Sequence, residues 1–264
     1  MSLDWNITAA AIWRPRQGSL RGVKRIDSIR FEDLLGIDRQ QAEFRVNLER
    51  FLGGGRANNI LLWGSRGTGK SSLVKAALNE YRCRGLRVVE IDKDDLSDLP
   101  DIVDDLRDLP QRFLVFCDDL SFDEGETEYK HLKSVLEGSI EVPPDNILVC
   151  ATSNRRHLIS EQKTDNRDVE FIEGELHYGD RIEEKLSLSD RFGLWLSFYP
   201  NTQDQYLAII DSLFSAEVAG GSVDKEQLHR AAKQFAIARA SRSGRTARQF
   251  RIQYPDSVSG IANQ

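Results

Sequence analysis

NNILLWGSRGTGKSSLVKAALNEY, residues 58–81, is the stretch that decides the fold. Its first part, NNILLW (58–63), is a short apolar run that ends in glycine, and SSLVKAALNEY (71–81) carries apolar residues at helical spacing. Between them Gly64-Ser65-Arg66-Gly67-Thr68-Gly69-Lys70-Ser71 satisfies every fixed position of the pattern G-x-x-x-x-G-K-[ST]. Strand, glycine loop and helix in that order make a cradle for phosphates. The glycines let the backbone turn tightly, so that the N–H groups of Gly64 through Ser72 can point at an anion ahead of a positive helix end. Lys70 is expected on the β and γ phosphates, and Ser71 offers a hydroxyl to magnesium, a hard cation that prefers oxygen.

Working outward, LRVVEI (86–91), RFLVFC (112–117), NILVCATS (146–153) and LWLSFY (194–199) repeat the strand signature between helical or polar stretches. Continuous apolar strands alternating with helices predict an α/β fold, a doubly wound parallel sheet of five strands covered on both faces. After Pro200 the pattern is helical only, with QDQYLAIIDSLFSA (203–216) and DKEQLHRAAKQFAIARA (224–240) both amphipathic. The expected organisation is an N-terminal arm over 1–30, an α/β core over 31–200 and a small helical lid over 201–264. The polar segment 161–184, with two glycines and weak alternation, reads as an excursion or hairpin. Trp5 and Trp13 would anchor the arm on this core or on another subunit.

FLVFCDD (113–119) is a strand ending in two carboxylates. A first acid there holds magnesium and a second orients water, which assigns the metal to Asp118, with Ser71, and the water to Asp119.

The bulk properties narrow the partners. With 40% hydrophobic and 30% charged residues the chain is of the globular type, no segment is long and apolar enough to span a bilayer, and the start lacks a cationic leader, so a cytoplasmic protein without membrane contact is expected. Cys83, Cys117 and Cys150 share no metal-ligand spacing and read as packed thiols rather than a redox pair. His131, His177 and His229 form no ligand set, which leaves magnesium as the expected metal. The net charge of −6 argues against a nonspecific coat of nucleic acid. Arg239, Arg242, Arg245, Arg248 and Arg251 recur every third residue, but steps of about 300° wind such a series around a helix, so nucleic acid stays open as a partner without being favoured.

Further motifs carry a resemblance. CATSN (150–154) resembles the sensor-1 strand of AAA+ ATPases, LSLSDRFG (186–193) their arginine-finger segment, and GRTARQF (244–250) the opening of a sensor-2 lid helix. More narrowly, LLWGSRGTGKSSLVKA, FLVFCDDLSF, ATSNRRHL, EEKLSLSDRFGLWLSFY and RSGRTARQF resemble the uncharacterised ATP-binding family catalogued as domain of unknown function 815, over nearly the whole chain. The resemblance implies ATP and Mg²⁺ as ligands, with Asn154 between the acids and the γ phosphate. It implies Arg191 as a finger acting on a neighbouring subunit, hence a homo-oligomer that remodels or loads an unidentified protein partner. Arg245 or Arg248 would be sensor 2, and the family's R-S-G-R spacing favours Arg245. Leu35, Gly36 and Ile37 resemble the segment beside adenine, although Asp38 as a helix cap with Ile37 as its staple accounts for them equally well.

One departure bears on rate. Asp119 stands where most AAA+ proteins carry glutamate, and a carboxylate displaced by about 1 Å can slow chemistry on the order of a hundredfold. A nucleotide-dependent switch or scaffold with little hydrolysis is therefore the alternative function. A small-molecule kinase shares the phosphate loop, but the sensor and finger segments argue against it. Arg155, Arg156 and His157, at the end of the sensor strand, are either cleft-edge contacts or an exposed loop face.

Overall fold

The computed structural model describes residues 3–122, 129–138, 142–156, 158, 170–172, 175–177 and 188–258. Five parallel strands run in the spatial order β4-β5-β6-β3-β9, with β9 at one edge of the sheet: β3 (Ile60–Gly64), β4 (Leu86–Ile91), β5 (Arg112–Cys117), β6 (Ile147–Ser153) and β9 (Leu194–Phe198). Their side chains alternate between two cores. Leu61, Val89, Val115 and Val149 pack beneath α3 (Leu99–Leu106) and α4 (Tyr129–Glu137), whereas Ile60, Leu62, Val88, Leu114 and Leu148 pack with α1 (Asp38–Leu52) and α2 (Lys70–Tyr81). Burial on both faces explains why these strands read as continuous apolar runs. It also separates two of the thiols: Cys117 lies in one core and Cys150 in the other, so both are packed and unpaired.

Two further strands extend the sheet beyond the expected five. β1 (Ala10–Arg14) runs parallel to β4, and β2 (Ser19–Gly22) returns antiparallel to form the edge. The first thirty residues are thus, in part, sheet. Their tryptophans anchor on this chain's own core: Trp5 meets Phe113 edge-on at 4.9 Å, and Trp13 Nε1 donates to Asp98 Oδ2 at 2.8 Å. A buried Arg87 donates from Nε to the Trp5 carbonyl at 2.7 Å and closes the attachment. In the 161–184 segment, β7 (Glu170–Ile172) and β8 (Glu175–His177) pair antiparallel as a hairpin.

Beyond β9 the chain is helical. α5 (Gln203–Leu213), α6 (Ser215–Ala219), α7 (Lys225–Ala238) and α8 (Gly244–Val258) surround a separate apolar cluster that includes Tyr206, Phe214, Leu228 and Phe250. Thr202 and Gln205 form a reciprocal capping box at the start of α5, and Asp224 caps α7. The expected helix over 203–216 breaks at Phe214, which instead fills the middle of this cluster. Among the described residues, no helix is long and apolar enough to cross a membrane.

Candidate functional site

Because the chain leaves β3 and returns at β4, with β5 and β6 lying between them, a crevice opens at the carboxyl ends of β3, β5 and β6, where open α/β sheets bind ligands. A cleft of about 1090 Å³ occupies it, lined by residues 66–72, Asp118, Asp119 and Asn154 from the core and by Arg245 and Arg248 from α8. Its apolar wall combines Ile29, Leu34 and Ile37 with Ile209, Leu213 and Ile252 of the helical layer.

Two of the loop's glycines are required by close neighbours and by left-handed backbone. At Gly64, with φ of +128°, an added Cβ would lie 2.0 Å from the Phe198 carbonyl oxygen, which accepts the Ser65 N–H at 2.9 Å. At Gly67, with φ of +74°, it would lie 2.8 Å from Ser243 Oγ. Gly67 in turn accepts the Gly244 N–H at 3.1 Å, a contact that pins the start of α8 to the loop and brings Arg245 to the cleft.

Lys70 is the first residue of α2 and is buried. Its Nζ donates to the carbonyls of Gly64 and Ser65, both at 2.8 Å, and to Asn154 Oδ1 at 3.2 Å. Burial pushes the amine down to about 8. The carboxylates of Asp118 and Asp119 oppose that shift, and the nearby guanidinium groups of Arg66 and Arg245 add to it.

Ser71 Oγ donates to Asp118 Oδ1 at 2.6 Å, so the hydroxyl and carboxylate oxygens expected on magnesium already lie side by side. Thr152, which the sequence reading passed over, completes the arrangement. Its Oγ1 donates to Asp118 Oδ1 at 2.5 Å and accepts the Asp119 N–H at 2.8 Å. Asp119 adopts a left-handed φ of +54°, a conformation aspartate tolerates better than most residues, and this turns its carboxylate towards Asn154. Asn154 Nδ2 donates to Asp119 Oδ1, so one side chain joins Lys70 to the second acid. Glu90 lines the cleft as well. Desolvation, and then the Asp118 charge, hold its carboxyl above the usual range.

Other expected residues divide. Ile37 occupies the position before α1 without a side-chain cap, Asp38 is the first helical residue rather than the cap, and Ile37 Cδ1 packs over Gly69 while facing the cleft. Arg191 does not line this cleft; its Nε lies 2.5 Å from Glu137 Oε1 at the end of α4. Arg155 and Arg156 also stay outside it, with the Arg156 guanidinium 5.7 Å from the centre of the Trp63 ring. His157 lies outside the described residues. Of the C-terminal arginines, Arg251 pairs with Glu217 and stacks over Phe214, and Arg239 stacks over Phe235.

The family described as "Protein of unknown function (DUF815)" matches residues 6–257. The chain belongs to this family. No curated protein matches it with significance. Among solved structures it is similar to the RuvB Holliday junction branch migration motor of Thermotoga maritima, with a TM-score of 0.58 and 16% identity over 89% of this chain and 66% of that one. A lysine-to-arginine variant of the same motor gives 0.59 and 16% over 89% and 67%. A proline-to-glycine variant gives 0.58 and 18% over 90% and 68%. The chain thus spans about two thirds of that motor's length. At such identity the likeness is one of fold alone.

The residues present fit a magnesium-bound nucleotide. Backbone comes so close to the loop that only glycine is accommodated, a buried ammonium stands at one end, a hydroxyl and a carboxylate offer hard oxygens, and an apolar wall faces them.

Proposed function

We propose that the protein binds ATP with magnesium and hydrolyses it, using the cycle to remodel or load a protein partner as a homo-oligomer. The observation that carries this is the continuous set of hydrogen bonds from the phosphate loop through Lys70 and Asn154 to Asp119, beside the Ser71–Asp118 pair. Lys70 would exchange loop carbonyls for β and γ phosphate oxygens. Asp119, held by Asn154, would orient the attacking water and receive its proton. Magnesium, when bound to Ser71 and Asp118, would neutralise charge on the β and γ phosphates.

Arg245 and Arg248 carry the helical layer to the same cleft, which supports a lid that closes over the nucleotide, with Arg245 as the nearer sensor because its charge acts on Lys70. Ile37 and the apolar wall would take the base. Arg191, which pairs with Glu137 and does not line its own chain's cleft, would act on the nucleotide of the adjacent copy after leaving Glu137.

Phosphate release from MgATP, with Asp119→Asn compared against the parent, tests this reading. The variant should bind ATP as the parent does and release little phosphate. Equal release by both would remove Asp119 from the chemistry. Engagement of Asp119 by both Asn154 and Arg66 supports the second reading, a nucleotide switch with little hydrolysis. Tight MgATP binding without phosphate release at any protein concentration would decide for it.

A further inference from the structure

The phosphate-loop pattern uses only the backbone of its variable positions, yet the side chain of Arg66 occupies a distinctive place. Its Nη2 lies 3.9 Å from Asp119 Oδ2, and it lines both the main cleft and a smaller one on the other side of the loop. We propose that Arg66 supplies, from within the same chain, a guanidinium to the γ-phosphate end of the site. This rests on the nucleotide reading above.

Three observations lead there. Lys70, Asn154, Asp119 and Arg66 form one sequence of polar contacts, so the group that touches Asp119 Oδ2 is within reach of whatever stands between Asp119 and Lys70. The pair with Asp119 is long and exposed, with 77% and 60% of the two side chains open to solvent, and a pair of that kind holds an arginine only weakly. A phosphate carrying more charge and several acceptor oxygens competes well for such a fork of donors. Finally, the other candidate guanidinium, Arg191, faces Glu137 instead of its own loop.

Hydrolysis makes a bond from a water oxygen to the γ phosphorus as the bond from that phosphorus to the β–γ bridging oxygen breaks. The electron pair leaves on ADP, and the water proton passes to Asp119. Negative charge collects on oxygens lying between Lys70 and Arg66, and removal of Arg66 from Asp119 frees that carboxylate to take the proton. Arg66 is therefore a residue for the transition state more than for ground-state binding. It would give a single copy a basal turnover that does not depend on assembly.

The test compares MgADP with MgADP plus aluminium fluoride, which mimics the γ-phosphoryl group in flight, binding to parent, Arg66→Ala and Arg66→Lys. Removing one such donor should weaken the fluoroaluminate complex on the order of a hundredfold while changing MgADP affinity less than about threefold. Lysine, a point charge without the fork, should restore part of it. Phosphate release at concentrations where the parent is monomeric should fall with fluoroaluminate affinity. Unchanged fluoroaluminate affinity in Arg66→Ala would overturn the proposal. So would an equal loss for MgADP, which would mean that Arg66 only shapes the loop, and so would a rise in turnover, which would mean that it merely restrains Asp119. A parent that binds neither complex overturns this inference together with the nucleotide reading, whereas a parent that binds both, with Arg66→Ala indistinguishable, overturns this inference alone.

Discussion

Replacing Thr152 with valine removes one hydroxyl and keeps the volume and branching of the side chain. That hydroxyl donates to Asp118 at 2.5 Å and accepts the Asp119 N–H at 2.8 Å, in a residue only 2% exposed. Valine leaves the part-buried Asp119 N–H without its partner, which costs about 1 kcal/mol of stability. The Asp118 carboxylate also loses the bond that sets its rotation while Ser71 turns to the metal. Loss of such an outer partner weakens metal affinity by about 10- to 100-fold. Urea unfolding measures the first effect as a lower midpoint at an unchanged slope. A magnesium titration of ATP binding measures the second, and Thr152→Ser, which keeps the hydroxyl, should recover most of both. If Thr152→Val unfolds at the parent's midpoint and needs no more magnesium, the reasoning that Thr152 orients the metal acid is wrong.

Lys70 gives a pH signature. In the free protein its proton is lost as pH rises through about 8, whereas phosphate oxygens hold that proton in the complex. ATP affinity should therefore be full below that value and fall by about tenfold per pH unit above it, with proton uptake on binding that calorimetry in two buffers detects. Gly67→Ala would force a left-handed alanine and a contact with Ser243 Oγ, at about 1–2 kcal/mol, so a lower thermal midpoint with weakened ATP binding is expected. Arg191→Ala should bind ATP normally and lose the part of turnover that rises with assembly, keeping the basal part. Mixed with Lys70→Ala it should regain some phosphate release at interfaces that pair an intact loop with an intact arginine, and its absence at every mixing ratio would speak against action between copies.

Strands β3 to β6 were legible because each is buried on both faces, which writes a run of Val, Leu and Phe into the sequence whatever the neighbours. β1 and β2 were not. They lie at and next to the sheet edge, are short, and mix Trp13 and Leu20 with exposed arginines, so nothing local distinguishes them from an arm. The strand, glycine loop and helix around 60–81 were legible because their pattern fixes residue type at set spacing. The role of Thr152 depends instead on strand register: Cys117 opposite Ala151 places the next residues, Asp118 and Thr152, beside one another, and that pairing joins segments far apart in sequence. The choice between Arg245 and Arg248 is similarly tertiary, since both line the cleft and only the loop contact at Gly244 sets which comes nearer to Lys70. Helix α3 was hidden under its acidic residues, whose apolar companions Leu99, Ile102, Val103 and Leu106 all reach the core.

A paired calorimetric titration of MgATP into the parent chain and into Lys70→Ala, each shown to be folded by circular dichroism, addresses the central claim most directly. The account predicts one saturable site per chain in the parent and an affinity at least roughly 10- to 100-fold weaker in the variant, as befits the loss of charge-assisted hydrogen bonds to phosphate. Equal affinity in the two folded proteins, or no binding by the parent, would contradict it.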